Sequence, residues 1–176
     1  MKAIKGIIIG TILVFSIGVV VFLELSLYAY DNLKYYSVYY AQQMPHKEGT
    51  EPDLVMLIEN MWWVYTPEIE GIRYDDDGRN FIENSTNLTG KPTNFDELIG
   101  GYGYSDQNDV TYKFNKNFSL EWAIDKDYKK IDLATVDEKK IKEEIRETVQ
   151  PVLDVQSKPL INLQWLFNLL YQDRFN

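Results

Sequence analysis

The stretch Ile7 to Leu23, IIIGTILVFSIGVVVFL, is an unbroken run of apolar and small residues. No feature of the chain constrains its fold more. As a helix rising 1.5 Å per residue it covers roughly 25 Å, and continued to Tyr30 roughly 36 Å. A bilayer core is about 30 Å thick, so the segment is long enough to cross it. Its β-branched residues would weaken a helix in water. In lipid every backbone group must be satisfied within the segment, and a helix is the form that does so. A cleaved signal peptide has an apolar region of about 7–15 residues closed by a small-x-small site. Here the run is longer, and Leu27 spoils the site that would end at Ala29. The expectation is an uncleaved anchor that contacts the membrane through residues 7–23.

Charge gives the anchor a direction. Lys2 and Lys5 precede the run, Glu24 and Asp31 follow it, and the next cation is Lys34. The positive-inside rule keeps the N-terminus in the cytoplasm and exports the rest at the cell membrane. From residue 24 onward 27 acidic side chains face 16 basic ones, a net of −11. A domain so charged is repelled by nucleic acid and by anionic headgroups, which argues against a nucleic-acid partner. The chain has no cysteine. Disulfides, thiolate metal sites and cysteine nucleophiles are thereby excluded. Lys5-Gly6 before an apolar helix resembles a prepilin-type leader, which is cut after the glycine. Pilins carry a glutamate at the fifth position after that cut, where this chain has Thr11.

Three regions follow: residues 1–30 as a cytoplasmic stub and signal-anchor helix, 31–45 as a tyrosine-rich juxtamembrane helix or linker, and 46–176 as an extracytoplasmic α+β domain. Tyr28 and Tyr30 suit the lipid interface, where a ring can be apolar and its hydroxyl wet. Tyr35 with Tyr39 and Tyr36 with Tyr40 have the four-residue spacing that stacks side chains along one side of a continuing helix. Pro45 ends that helix near Gln43. The tyrosines serve either as a stalk packing on its own domain or as a docking surface for a membrane partner.

Within the domain, Thr50 caps a helix reaching Trp63, with Pro52 and Asp53 in its first turn and Leu54, Leu57, Ile58, Met61 and Trp62 at helical spacing. Ile72 to Glu83 reads as a hairpin about an Asp77-Gly78 turn, setting Tyr74 opposite Phe81 and Asp76 opposite Arg79. Asp75-Asp76-Asp77 invites a calcium reading, but an EF-hand register would put Arg73 first and Asn84 twelfth. Asn84 to Pro92 is a loop. Asn84, Asn87 and Asn117 begin glycosylation sequons to which no function is assigned. Thr93 or Asn94 caps a short helix to Ile99, broken by the Gly100–Tyr104 run, which lacks the spacing of a phosphate loop and reads as a flexible turn.

Val110, Tyr112 and Phe114 share one face of a strand, and Leu120, Trp122 and Ile124 share the apolar face of the next, with Asn115-Lys116-Asn117 turning between them. A third strand is expected over Tyr128–Leu133. Thr135 and Glu138 form a capping box for a surface helix to Val149, stopped by Pro151. Leu160 to Tyr171 is a last, very apolar helix, too short to span a bilayer. It is read as a core helix first and as a partner or membrane-surface contact second.

The fold class expected is therefore α+β, a transmembrane helix followed by a small antiparallel sheet packed on a few helices. His46, the single histidine, falls in the linker beside Pro45. Neither a Ser-His-Asp nor a Cys-His arrangement is supported, and HExxH is absent, so no catalytic, cofactor-binding or metal residue is assigned. The reading is of a membrane-anchored envelope protein, more an accessory or interaction subunit bound to another envelope protein than an enzyme. The alternatives are a hydrolase using two carboxylates, or a domain binding a cation or small ligand.

Overall fold

The first helix, α1 (Lys2–Tyr35), stands free of the rest of the molecule over most of its length. The computed structural model describes residues 2–74, 81–84 and 93–176. Gly10–Tyr35 makes α1 the one helix among them long and apolar enough to cross a membrane. Those 26 residues rise about 39 Å, more than a bilayer core. The exposure ends abruptly: Asp31 is exposed, whereas Asn32 and Leu33 are 5 % and 7 % exposed.

A kink at Tyr36 separates α1 from α2 (Ser37–Gln43), which ends where Pro45 was expected to end it. The expected four-apart tyrosine stacks do not form. Tyr35 instead meets Tyr36 edge-on at 4.8 Å, and Tyr39 meets Tyr40 at 5.8 Å, because Tyr40 turns inward onto Phe167. Leu33, Val38, Tyr40, Ala41 and Met44 all enter the core.

Helix α3 (Pro52–Glu59) is the centre of that core, and every residue from Pro52 to Ile58 is buried. A helix apolar all round is one that its neighbours enclose. Pro52 holds its first turn as expected, but Thr50 is not its cap. Glu51 takes that position without a side-chain bond, and the Thr50 hydroxyl donates to the Lys47 carbonyl at 2.6 Å. The helix stops at Glu59, short of Trp63. In the turn that follows, Met61 and Val64 point inward, while Trp62 and Trp63 are left 70 % and 41 % exposed.

One six-stranded antiparallel sheet covers α3, its strands in chain order: β1 (Ile72–Tyr74), β2 (Phe81–Asn84), β3 (Thr93–Leu98), β4 (Gly101–Ser105), β5 (Thr111–Asn115) and β6 (Leu120–Ile124). The α+β class is thus borne out. The expected register of the first hairpin is off by one residue: Tyr74 faces Ile82, and Arg73 faces and ion-pairs with Glu83. The expected Asp77-Gly78 turn, the Asp76–Arg79 pair, the acidic run Asp75–Asp77 and the sequon at Asn87 lie outside the described residues.

The expected helix at Thr93–Ile99 is strand β3. Thr93 and Phe95 alternate inward, and β2 and β4 bond its backbone on both sides. Nor is the glycine-tyrosine run a flexible turn. Only Ile99-Gly100 turns, with Gly100 at φ 81°, and the rest is β4, with Tyr102 and Tyr104 buried.

On β5, Tyr112 and Phe114 are buried as the alternation required. A bulge at Lys113/Phe114 then shifts the register of β6, so Ala123 faces the core and Trp122 is 36 % exposed. The inward face expected of Leu120, Trp122 and Ile124 is not formed. The third strand expected after β6 is reduced to one bridge, Ile124 to Lys130.

Helix α4 (Glu138–Asp154) is capped by Asp137, whose carboxylate accepts from the Lys140 amide at 3.1 Å, not by Thr135. It runs through Pro151. Val152 and Leu153 beyond the proline are buried, extending the stripe of Ile141, Ile145 and Val149. That packing outweighs the hydrogen bond the proline removes. The last helix, α5 (Gln164–Tyr171), is shorter than expected and mostly not core: Phe167 is fully buried, but Leu160 before it is 99 % exposed and Leu169 is 72 % exposed.

Candidate functional site

The most distinctive surface lies where α1 enters the domain. Asn32 and Tyr40 occupy one side of the α1–α2 junction, eight residues apart. The Tyr40 hydroxyl donates to Asn32 Oδ1 at 2.6 Å and accepts from the Leu163 amide at 3.0 Å. Asn32 Nδ2 donates to the Ile161 carbonyl at 3.3 Å, and Gln164 Nε2 to the Tyr40 carbonyl at 2.9 Å. Burial raises the Tyr40 pKa, partly offset by the Leu163 amide, so the hydroxyl keeps its proton. These bonds tie the segment before α5 to the end of α1. On the other side Lys34 Nζ donates to Asn60 Oδ1 at 2.8 Å, fixing the turn after α3.

The two ties bring separate apolar residues to one place. Trp63 meets Tyr30 edge-on, ring centres 5.8 Å apart. Tyr28, Asp31, Tyr35, Trp63 and Leu160 line a shallow cavity of about 460 Å³ beside α1. The result is a collar of exposed aromatic and aliphatic groups around the helix exit. Tyr28, Tyr30 and Tyr35 were legible as an exit cluster. Trp62, Trp63 and Leu160 were read as helix-face or core residues. The one sequence signal against that was the adjacent Trp62-Trp63 pair, since neighbours on a helix do not share a face.

A second concavity, about 620 Å³, lies between α4 and the sheet and gathers Tyr104, Asp106, Tyr112, Lys140, Glu144 and Glu147. Two of its carboxylates, Asp106 and Glu144, already have structural partners. Asp106 accepts from the amides of Asn108 and Val110 at 2.8 and 3.0 Å and from the Tyr112 hydroxyl at 3.3 Å, and Glu144 pairs with Lys140 at 3.7 Å. Burial, then the neighbouring carboxylate charges, raises the Tyr104 hydroxyl far above its ordinary value. The same order of causes takes Tyr112 to about 12. Both hydroxyls therefore keep their protons near neutral pH.

Two arginines lock the helices. Arg146 on α4 holds Asp53 with two bonds of 2.9 Å and also pairs with Glu51, both at the start of α3. Arg174 grips Glu59 through bonds of 3.0 and 2.8 Å, and the Tyr102 hydroxyl donates to the same carboxylate at 2.6 Å. Burial alone would raise the Glu59 pKa. The bonds from Arg174 and Tyr102, with the charges of Arg174 and Lys34, outweigh it and hold the carboxyl below its ordinary value.

His46 is exposed, its Nδ1 3.1 Å from the Thr50 hydroxyl, which is turned to the Lys47 carbonyl. This is a turn closure, not a base activating a nucleophile. Asn84 falls in β2 and Asn117 in the β5–β6 turn. Among the described residues, no three carboxylates or imidazoles are grouped so as to hold a metal ion. No family model matches this chain, nor does any curated protein or solved structure.

Proposed function

We propose that this chain is a single-pass, membrane-anchored envelope protein whose α+β domain is extracytoplasmic and serves as a non-enzymatic accessory or interaction subunit. The observation that carries this reading is α1, a bare apolar helix that runs without a break into a domain whose surface at the junction is itself apolar. Lys2 and Lys5 on one flank and Glu24 and Asp31 on the other orient it with the N-terminus in the cytoplasm. A binding role is supported by large apolar side chains left at the surface, and by the structural partners that occupy Asp106, Glu144, Arg146 and Arg174.

Both halves of the proposal are open to test. The chain has no cysteine, so Lys2→Cys and Ser157→Cys each give one label site. In sealed vesicles of known sidedness, a membrane-impermeant maleimide should reach Ser157→Cys from the outer face and Lys2→Cys only after lysis. Labelling of both from one side would remove the spanning topology. Crosslinking in native membranes, followed by purification through a C-terminal tag and mass spectrometry, should recover a stoichiometric envelope partner. Recovery of the chain alone would favour a second reading, in which a small ligand binds in the tyrosine-lined groove between α4 and the sheet.

A further inference from the structure

We infer that the domain rests on the bilayer itself, with the collar of Tyr28, Tyr30, Trp62, Trp63 and Leu160 seated in the headgroup layer, rather than being carried above the membrane on a stalk. The inference depends on the anchored reading above and adds a second partner surface to it: zwitterionic lipid, met by the base of the domain.

The first argument is the absence of a spacer. Buried Asn32 and Leu33 follow exposed Asp31 directly. The lower surface of the domain is therefore level with Tyr28–Tyr35, and the ties from Asn32 and Lys34 to Ile161 and Asn60 keep it there.

The second argument is depth. A hydrocarbon core of about 30 Å takes about twenty helical residues. Ending it at Leu23 would leave Leu25, Leu27, Tyr28 and Tyr30, all at least 45 % exposed, outside the hydrocarbon. Ending it near Tyr28 places Leu25 and Leu27 in lipid and its other edge near Ile8, with Lys5 and Lys2 outside. Glu24 then lies about 6 Å below the edge, close enough for its side chain to reach up to the headgroups. In this register Tyr30 and Asp31 fall within the interfacial layer, which is about 5–7 Å deep on each side. Trp63 touches Tyr30 and so reaches that layer too.

The third argument is chemistry. Trp62 is 70 % exposed, Trp63 41 %, Tyr28 45 % and Leu160 99 %. Tryptophan and tyrosine favour the lipid interface because an apolar ring ends in a polar group. The domain's net negative charge disfavours anionic lipid, so the contact is apolar in origin and insensitive to salt.

The four tryptophans, 62, 63, 122 and 165, provide the test. Full-length protein is reconstituted in phosphatidylcholine vesicles as variants retaining only Trp62, only Trp63 or only Trp122, with phenylalanine at the other three positions. Circular dichroism confirms that each is folded, and the wild-type protein gives the summed signal as a check. Quenching is read with phosphatidylcholine brominated high on its acyl chains and with aqueous iodide. Trp62 and Trp63 should be quenched by bromolipid several-fold more than Trp122 and shielded from iodide, equally at low and high salt. Trp122, exposed on edge strand β6, should show the reverse. If Trp62 and Trp63 follow Trp122 while the chain stays in the vesicles after alkaline carbonate, the domain stands clear of the bilayer and the inference falls. Shielding from both quenchers would mean that a second copy covers the collar, which also overturns it. Release of the chain by carbonate would instead defeat the anchored reading.

Discussion

Gly101 and Gly103 are two residues apart in β4, yet a methyl group would meet a different obstacle at each. At Gly101 it would overlap the backbone carbonyl of Phe114 and come within 2.5 Å of Lys113 Nζ. At Gly103 it would meet side chains, Asp96 Oδ1 and Leu98 Cδ1, each at 2.6 Å. Backbone held in a sheet cannot move aside, whereas side-chain ends can. Gly101→Ala should therefore lower stability by about 3 kcal/mol, near the top of the usual overpacking range, and Gly103→Ala by about 1 kcal/mol, as read by urea unfolding. Equal losses would sink this distinction. Glu59 gives a prediction in pH. Its pKa is lowered on folding, so its stabilising effect is complete above the ordinary glutamate value, about 4.3, and is lost as the pH falls through the lower folded value. Glu59→Gln should cost about 1–3 kcal/mol at pH 7, and its deficit against wild type should shrink as the medium is acidified below pH 4 or so. A deficit constant with pH would show that the carboxylate's charge is not what matters. No periodicity announced either site. The glycines looked like a turn because sequence cannot reveal which backbone will pass close by, and nothing in the sequence marks Glu59 because its partner lies 115 residues away.

At the scale of elements, the helices were more legible than the strands, for a physical reason. A helix closes its bonds within a few residues, so α1, α3 and α4 announce themselves by spacing and by Pro or Asp near their starts. A strand is defined by neighbours. Thr93-Asn94-Phe95-Asp96 satisfies the start of a helix and a β-alternation equally, and only β2 and β4 decide between them. Helix ends failed similarly: Pro151 predicts a stop, but buried Val152 and Leu153 carry α4 onward. The collar was half legible, since its tyrosines are contiguous and its tryptophans and Leu160 arrive from elsewhere in the chain. The packing of α4 onto the body can be probed at two points. Ile145 is fully buried, and Ile145→Ala should cost about 2–5 kcal/mol. Arg146→Lys keeps the charge but loses the two-pronged grip on Asp53, and should cost about 1–2 kcal/mol, lowering Tm by about 2–8 °C. A lysine variant as stable as wild type would show that charge alone holds α4 to α3.

For the whole molecule, the free length of α1 and the folded body divide at Asp31, because burial begins at Asn32. A chain beginning at residue 24 should therefore keep the fold and unfold cooperatively, but it would expose its collar to water. Analytical ultracentrifugation should show it self-associating, with dispersal by mild detergent or by Trp62→Ser with Trp63→Ser. A monodisperse fragment without detergent would mean that the collar is too weak a surface to need covering.

The C-terminal clamp has a consequence in time. Tyr40 is closed over by Phe167, Gln164 reaches back 124 positions to the Tyr40 carbonyl, the Lys47 amide donates to the Phe175 carbonyl, and Arg174 completes the site around Glu59. A ribosome makes these closing residues long after α2 and α3, at about 5–20 residues per second. Until they emerge, α2 and α3 have no lid. Native packing of α2 and α3 therefore waits until residues 164–175 have been made, and before then these helices belong to an open chain.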